Sequence, residues 1–239
     1  MVLAAMLLVA TPAAAQSGSQ ARVYITGDGL YQALFDPFSK SSTFQIFQET
    51  GTFSALYPAG KSPAFAGGLV IRLWKSVSIG AMVTRVQTTT DATVEGEIPH
   101  PFFFNRDRPI SGTAHVQRDE RAAHLQFRVV IPVTRRFDLS VFGGPSRWQI
   151  QQDRIANIDY ASEYPFDTAR FSGVVIDTVD GMTWGYNAGL DASVYLTKHI
   201  GVGGLLLIAT ANPGDDPSAT TADTRIGGLR AGGGIRLRF

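Results

Sequence analysis

Residues 225–239, RIGGLRAGGGIRLRF, decide the reading of this chain. Counting back from Phe239 in twos places Leu237, Ile235, Gly233, Ala231 and Leu229 on one side. Arg238, Arg236, Gly234, Gly232 and Arg230 fall on the other. Apolar and polar positions therefore alternate with period two, the pattern of a strand with one greasy and one wet face.

The same alternation recurs upstream. Residues 65–74 put Phe65, Gly67, Leu69, Ile71 and Leu73 on one face, Lys75-Ser76 predicts a tight turn, and residues 77–87 return with Val77, Ile79, Ala81 and Val83. Residues 121–131 align Ala123, Leu125, Phe127, Val129 and Ile131 opposite His124, Gln126 and Arg128. A short connection at 132–136 leads into Phe137, Leu139, Val141 and Gly143, with Asp138 and Ser140 opposite. Trp184, Tyr186, Ala188, Leu190, Ala192, Val194 and Leu196 alternate with Asn187, Asp191 and Ser193, and the turn 197–199 feeds Ile200, Val202, Gly204, Leu206 and Ile208. Strands of roughly ten to fourteen residues are long for a globular sheet and suit tilted strands crossing a bilayer. The polar stretches 89–120, 152–181 and 211–224 are expected to be long connections, so that short and long connections alternate as in membrane barrels. Seven strands follow from Phe65, and an even number requires one more. Residues 22–35 are preferred for it, with Val23, Ile25, Gly27, Gly29, Tyr31, Ala33 and Phe35 on one face; residues 44–57 alternate weakly and are the alternative first strand, or part of an extended first loop.

Residues 1–15 are expected to be a signal peptide: Val2 to Ala10 is an apolar core, Pro12 breaks it, and Ala13-Ala14-Ala15 offers small residues for cleavage. A basic leading region is missing, so the start is expected upstream of Met1; a buried N-terminal helix is the competing reading. Residues 16–239 are then a single barrel domain. No later segment approaches the roughly 18 apolar residues of a membrane helix, so any crossing must use strands. A net charge of +1 argues against nucleic-acid binding, and the absence of cysteine excludes disulfides and thiolate metal sites.

From residue 22 onward the chain resembles the OmpA/OmpX-like outer-membrane β-barrel domain. The resemblance rests on the leader, the strand pattern, the split between short and long connections, and Phe239 with Leu237 and Ile235 before it. It implies an all-β, transmembrane, antiparallel up-and-down β-barrel of eight strands, with short periplasmic turns and long external loops. It also implies a bacterial outer-membrane location, outer-membrane lipid as surroundings, and Phe239, Leu237 and Ile235 as the signal read by the barrel-assembly machinery. No periplasmic domain is expected beyond Phe239.

A membrane barrel points its apolar face outward, whereas an exported lipocalin-like barrel would point it inward. Small residues such as Gly67, Ala81, Ala188 and Ala231 on the apolar faces would wall a ligand cup poorly, and Trp184, Tyr186, Phe137 and Phe239 near strand ends fit interfacial girdles. The polar face then becomes the lumen, with Asp28, Arg72, His124, Gln126, Arg128, Asp138, Ser140, Asn187, Asp191, Ser193, Arg230, Arg236 and Arg238 as candidates. An eight-stranded interior is just wide enough to be filled by side chains, so a plug of Arg against Asp is expected.

Catalytic signals are weak. His124 is the one mid-strand histidine of four and shares no evident constellation with a serine and a carboxylate. Catalytic residues, metal ligands and cofactors are therefore expected to be none. Phe102, Phe103 and Phe104 are the loop contact candidates: packing onto residues 160–166 to cap the barrel mouth is the preferred reading, and an adhesive or receptor surface is the alternative. The expected role is structural or surface-interacting, toward a surface partner that the residues do not name. A narrow pore for small solutes and a lipid-modifying enzyme are the alternatives.

Overall fold

A computed structural model describes residues 21–33, 38–58, 61–211 and 226–239. The leader 1–15, together with Phe35 and Arg225, lies outside the described residues. Ten strands follow in order: β1 (Val23–Ala33), β2 (Phe38–Ile46), β3 (Glu49–Tyr57), β4 (Lys61–Trp74), β5 (Val77–Pro99), β6 (Asp107–Pro132), β7 (Phe137–Ala161), β8 (Arg170–Tyr195), β9 (Ile200–Ala211) and β10 (Ile226–Arg238).

Eight of them close a ring, β5-β4-β1-β10-β9-β8-β7-β6, with β6 returning to β5. Every pairing is antiparallel. The seam is β1 on β10, running from Tyr24 opposite Arg238 to Ala33 opposite Leu229. At its base the Phe239 amide donates to Val23 O at 2.9 Å, and the Arg22 amide to Phe239 O at 2.7 Å. Here glycine is a requirement of close approach, because a Cβ on Gly232 or Gly234 would strike the Gly29 or Gly27 carbonyl.

The preferred first strand, 22–35, is thus β1. Residues 44–57 belong instead to a hairpin, β2–β3, that stands outside the ring and docks on the upper part of β5, Thr52 opposite Glu97 and Leu56 opposite Thr93.

Two of the expected long connections are corrected. Residues 89–120 and 152–181 are mostly strand, with irregular turns confined to 100–106 and 162–169; 212–225 lies outside the described residues. β5 to β8 therefore run 23 to 26 residues, about twice the length of β1, β4, β9 and β10. They leave the ring as a one-sided wall. The upper segments looked like loop because their outward residues are polar: Gln87, Thr89, Asp91, Glu95 and Glu97 on β5. Period two persists there, with the polarity inverted. Ala92, Val94, Ile98, Ile110, Ala114, Val116, Ile155 and Ile158 turn inward and pack with Phe53, Ala55 and Tyr57 of the hairpin. Phe171 lies on Gly112, where any side chain would collide with its ring.

In the lower half the outward face is apolar. Ile71, Leu73, Trp74, Val77, Val83, Phe127, Val129, Ile131, Leu190, Val202, Ile208 and Ile235 are all exposed. Below the level of Arg85, Arg121 and Arg147 the charged side chains within these strand segments lie on the other face: Asp28, Arg128, Asp191 and Arg236 are each at most 5% exposed, as is Arg230 above them. Such a belt costs free energy in water and is favourable in hydrocarbon, so the barrel is a membrane barrel. From Val77 to Arg85 the strand climbs roughly 20 Å at ordinary rise and tilt, close to the height of such belts.

Candidate functional site: the lumen and the distal wall

Inward polar residues fall into tiers. Lowest, at the mouth beside the short turns, are Arg72, Asp138 and Arg238, all half-buried. Arg72 lies over the Tyr24 ring at 5.2 Å and Arg238 over the Tyr195 ring at 3.7 Å, with Arg238 Nε donating to Lys198 O at 2.9 Å.

The next tier centres on Arg236. Its Nη1 donates to Asp28 Oδ1 at 2.7 Å and its Nη2 to Asp191 Oδ2 at 2.8 Å. Ser193 Oγ donates to Asp191 Oδ1 at 2.7 Å. One planar fork thus ties β10 to β1 on one side and to β8 across β9 on the other, a geometry that suits guanidinium better than ammonium. Gly203 of β9 makes the room, since a Cβ there would come within 2.7 Å of Arg236 Nε. Arg128 lies over the Phe142 ring at 4.5 Å and donates to Gln126 Oε1 at 3.0 Å.

Above it, His124 Nδ1 and Ser146 Oγ are 2.7 Å apart, and His124 Nε2 and Thr84 Oγ1 are 3.0 Å apart. Asn187 Nδ2 donates to Ser146 Oγ at 2.9 Å. A serine and a histidine therefore meet, but Thr84 stands where a carboxylate would be needed to orient the base, and Ser146 and His124 are at most 2% exposed. An acyl group has no approach to that oxygen.

The uppermost tier holds Arg230, which donates to Gln32 Oε1, to Thr84 Oγ1 at 2.7 Å and to Glu120 Oε2 at 3.3 Å, while the Trp148 ring lies 5.1 Å from the guanidinium. Arg118 Nη2 reaches the other Glu120 oxygen at 2.6 Å. Gln32, Thr84, Glu120, Arg118 and Ser146 were not among the lumen residues read from sequence. Glu120 and Arg118 lie in a polar stretch that the sequence alone reads as a loop, and the His124 parity continued upward by two residues at a time reaches both.

The lumen is also less uniformly polar than expected. Trp148, Ile150, Leu205, Leu207, Ala209, Ala211, Ile226 and Leu30 form an apolar layer around and above the Arg230 tier. β9 supplies much of it because GGLLLIATA is apolar on both faces, and alternation has no contrast there to report.

The three phenylalanines sit in the 100–106 turn at the far end of β5 and β6, where Phe102 meets the 160–166 segment. Phe102 meets Phe166 edge-on at 5.6 Å, and Phe103 lies 4.9 Å from the His100 ring, yet Phe102, Phe103 and Phe104 remain 69%, 55% and 70% exposed. The scaffold beneath them is fixed. Arg108, 2% exposed, donates to Pro99 O at 3.0 Å, Ser162 Oγ at 2.9 Å and Phe166 O at 3.1 Å. The Asn105 amide donates to Glu49 Oε1 at 2.8 Å, tying in the hairpin. Phe47 and Phe166 have φ of 51° and 68°, strained for a bulky side chain, while Asn105 at 55° adopts a conformation that asparagine tolerates.

No protein-family model matches the chain, and none of the curated proteins matches it. Among solved structures it is similar to the outer membrane protein OprG from Pseudomonas aeruginosa, at 12% identity over 93% of this chain and 98% of that one, with a TM-score of 0.44. It is also similar to Ail, the attachment invasion locus protein of Yersinia pestis, solved in complex with the heparin analogue sucrose octasulfate, at 8% identity over 90% of this chain and 99% of that one, with a TM-score of 0.39. With its ring closed by its own strand register, a lipid-compatible belt outside and paired charges within, the chain is an eight-stranded membrane-spanning β-barrel of the outer-membrane kind.

Proposed function

We propose that this protein is an integral outer-membrane barrel whose role is to hold a rigid binding wall above the membrane. The observation that carries the reading is the wall itself. Four ring strands continue well past the belt, acquire a second apolar core with the hairpin, and end in an exposed aromatic tip on a hydrogen-bonded base. A barrel needed only for its belt gains nothing from strands of this length. Exposed, fixed aromatics are the usual substance of contact surfaces, since they bury much area at small cost in side-chain entropy.

The lumen supports this reading over that of a conduit. Arg236 and Arg230 span it on two levels, and the apolar layer fills the space around the upper one. Interiors of this size are filled by side chains.

The test is replacement of Phe102, Phe103 and Phe104 by Ala in protein displayed on cells. The expected result is loss of cell or surface attachment with an unchanged heat-dependent band shift in SDS. Attachment that survives the triple replacement in a folded barrel would refute the role given to the tip.

A further inference from the structure

We propose that the outward face of β5, β6 and β7, where the apolar belt ends, is a binding site for the phosphate of an anionic lipid headgroup in the external leaflet. The site is Arg85, Arg121 and Arg147, with Asp119 between two of them. It rests on the membrane-barrel reading and is independent of what the distal tip binds.

Position is the first argument. Arg85 and Arg121 are on the lipid-facing side, one step in the alternation above Val83 and Ala123, where the apolar belt stops. Arg147 is opposite Ala123 and is also exposed. The three guanidiniums thus sit at the height where hydrocarbon gives way to headgroups. The carboxylates on this face lie higher: Asp119 on β6, Asp153 on β7, Asp180 on β8. That order, cations against the hydrocarbon boundary and anions toward water, matches a layer of phosphates.

Energetics gives the second argument. Arg85 and Arg121 are direct cross-strand partners. Like charges placed directly opposite destabilise a sheet, and a long polar side chain such as glutamine would avoid the cost. Asp119 offsets part of it: Arg85 reaches it with Nε at 3.3 Å and Nη2 at 2.7 Å, and Arg121 with Nη2 at 3.0 Å. One carboxylate cannot neutralise two guanidiniums, and Arg147 adds a third. Arg147 has no carboxylate within ion-pairing distance among the described residues; it contacts Met182 Sδ at 3.8 Å and lies over the Trp184 ring at 5.1 Å. Arg85 and Arg121 side chains remain 49% and 54% exposed. Guanidinium donors left over on adjacent strands suit a multi-oxygen anion.

Sidedness is the third. On the adjoining strand β4 the outward partner of Arg85 is Phe65, and Tyr31, Leu229 and Ile208 face outward on the strands beyond it, all apolar or aromatic. The charge is therefore a local patch and not a general feature of the rim, and Trp184 beside it supplies an interfacial aromatic anchor.

Trp184 is also the reporter. Trp148 is fully buried and Trp74 is at the opposite end of the barrel, so Trp74→Phe leaves Trp184 as the one lipid-facing tryptophan. The full chain carrying that change is folded into phosphatidylcholine vesicles containing brominated phosphatidic acid, or brominated phosphatidylcholine, at equal mole fraction. Phosphatidic acid is expected to quench Trp184 at a mole fraction lower by on the order of ten-fold, the scale of one charge-assisted phosphate contact. Equal quenching by the two lipids overturns the proposal without recourse to any site variant. Combined Arg85→Gln, Arg121→Gln and Arg147→Gln should abolish the preference, whereas Lys75→Gln with Lys198→Gln at the short turns should leave it intact; the reverse pattern also overturns it. Inorganic phosphate in the buffer should not displace the lipid. If it does, the site takes a soluble anion and the headgroup assignment fails. A barrel that loses its heat-dependent band shift in SDS would instead refute the membrane reading beneath it.

Discussion

Replacing Arg236 by Met removes the charge that joins three strands while nearly preserving side-chain length. Asp28 and Asp191 would then face each other's surroundings with side-chain exposures of 0% and 4% and no guanidinium between them. Breaking a buried ion pair from one side costs about 3–5 kcal/mol, because the stranded charge keeps its desolvation penalty. Here two carboxylates lose their hydrogen-bonded partner while the Arg128 charge remains near both, so a loss of about 3–5 kcal/mol is expected, partly relieved by protonation of one carboxyl. Equilibrium unfolding from lipid vesicles in guanidinium chloride measures it, with the SDS band shift confirming that the variant closes. A companion variant adds Asp28→Asn and Asp191→Asn. Since the triple variant removes the uncompensated buried charges but keeps two buried amides, it should recover part of the loss. A single variant within about 1 kcal/mol of the parent, or a triple variant less stable than the single one, would show that Arg236 does not hold the tier together.

Three further outcomes are expected. Gly234→Val should prevent closure, since its Cβ would strike the Gly27 carbonyl at the β1–β10 seam; a normal band shift in SDS would refute that account of the glycine run. Gly112→Val should displace Phe171 and loosen the wall by about 1–3 kcal/mol, raising protease sensitivity above the membrane while the band shift persists; unchanged digestion would refute it. The third concerns Asp119, whose carboxyl is held below the ordinary 3.8 chiefly by its hydrogen bonds with Arg85 and then, against some desolvation, by Arg121. A carboxyl depressed in the folded state adds stability above its unfolded pKa and loses it as pH falls through the folded value. An NMR titration in micelles should place its midpoint below 3.8, and Arg85→Gln should raise it; a midpoint at or above 3.8 in the parent refutes the coupling.

The barrel was legible in the sequence wherever the two faces of a strand differ. Belt residues such as Ile71, Phe127 and Ile235 face lipid while Arg72, Arg128 and Arg236 turn inward, and strand parity alone carries that information. The hairpin turns at Lys75 and Lys198 and the β10 closing strand were legible for the same reason. What alternation could not report was the environment, because the same period-two pattern serves lipid outside and core inside. Above the belt the apolar side switches from outward Val83 to inward Val94 along one unbroken strand, so a continuous strand read as a strand followed by a loop. Which lumen side chains meet was likewise beyond sequence. Arg236 lies 208 residues from Asp28, and Arg230 lies 110 from Glu120. Those pairings depend on strand order and stagger around a closed ring, which only the tertiary structure fixes. The arginine patch on β5–β7 is of the same kind: Arg85, Arg121 and Arg147 are unremarked singly, and become a site only when register sets them on one face within one alternation step of each other.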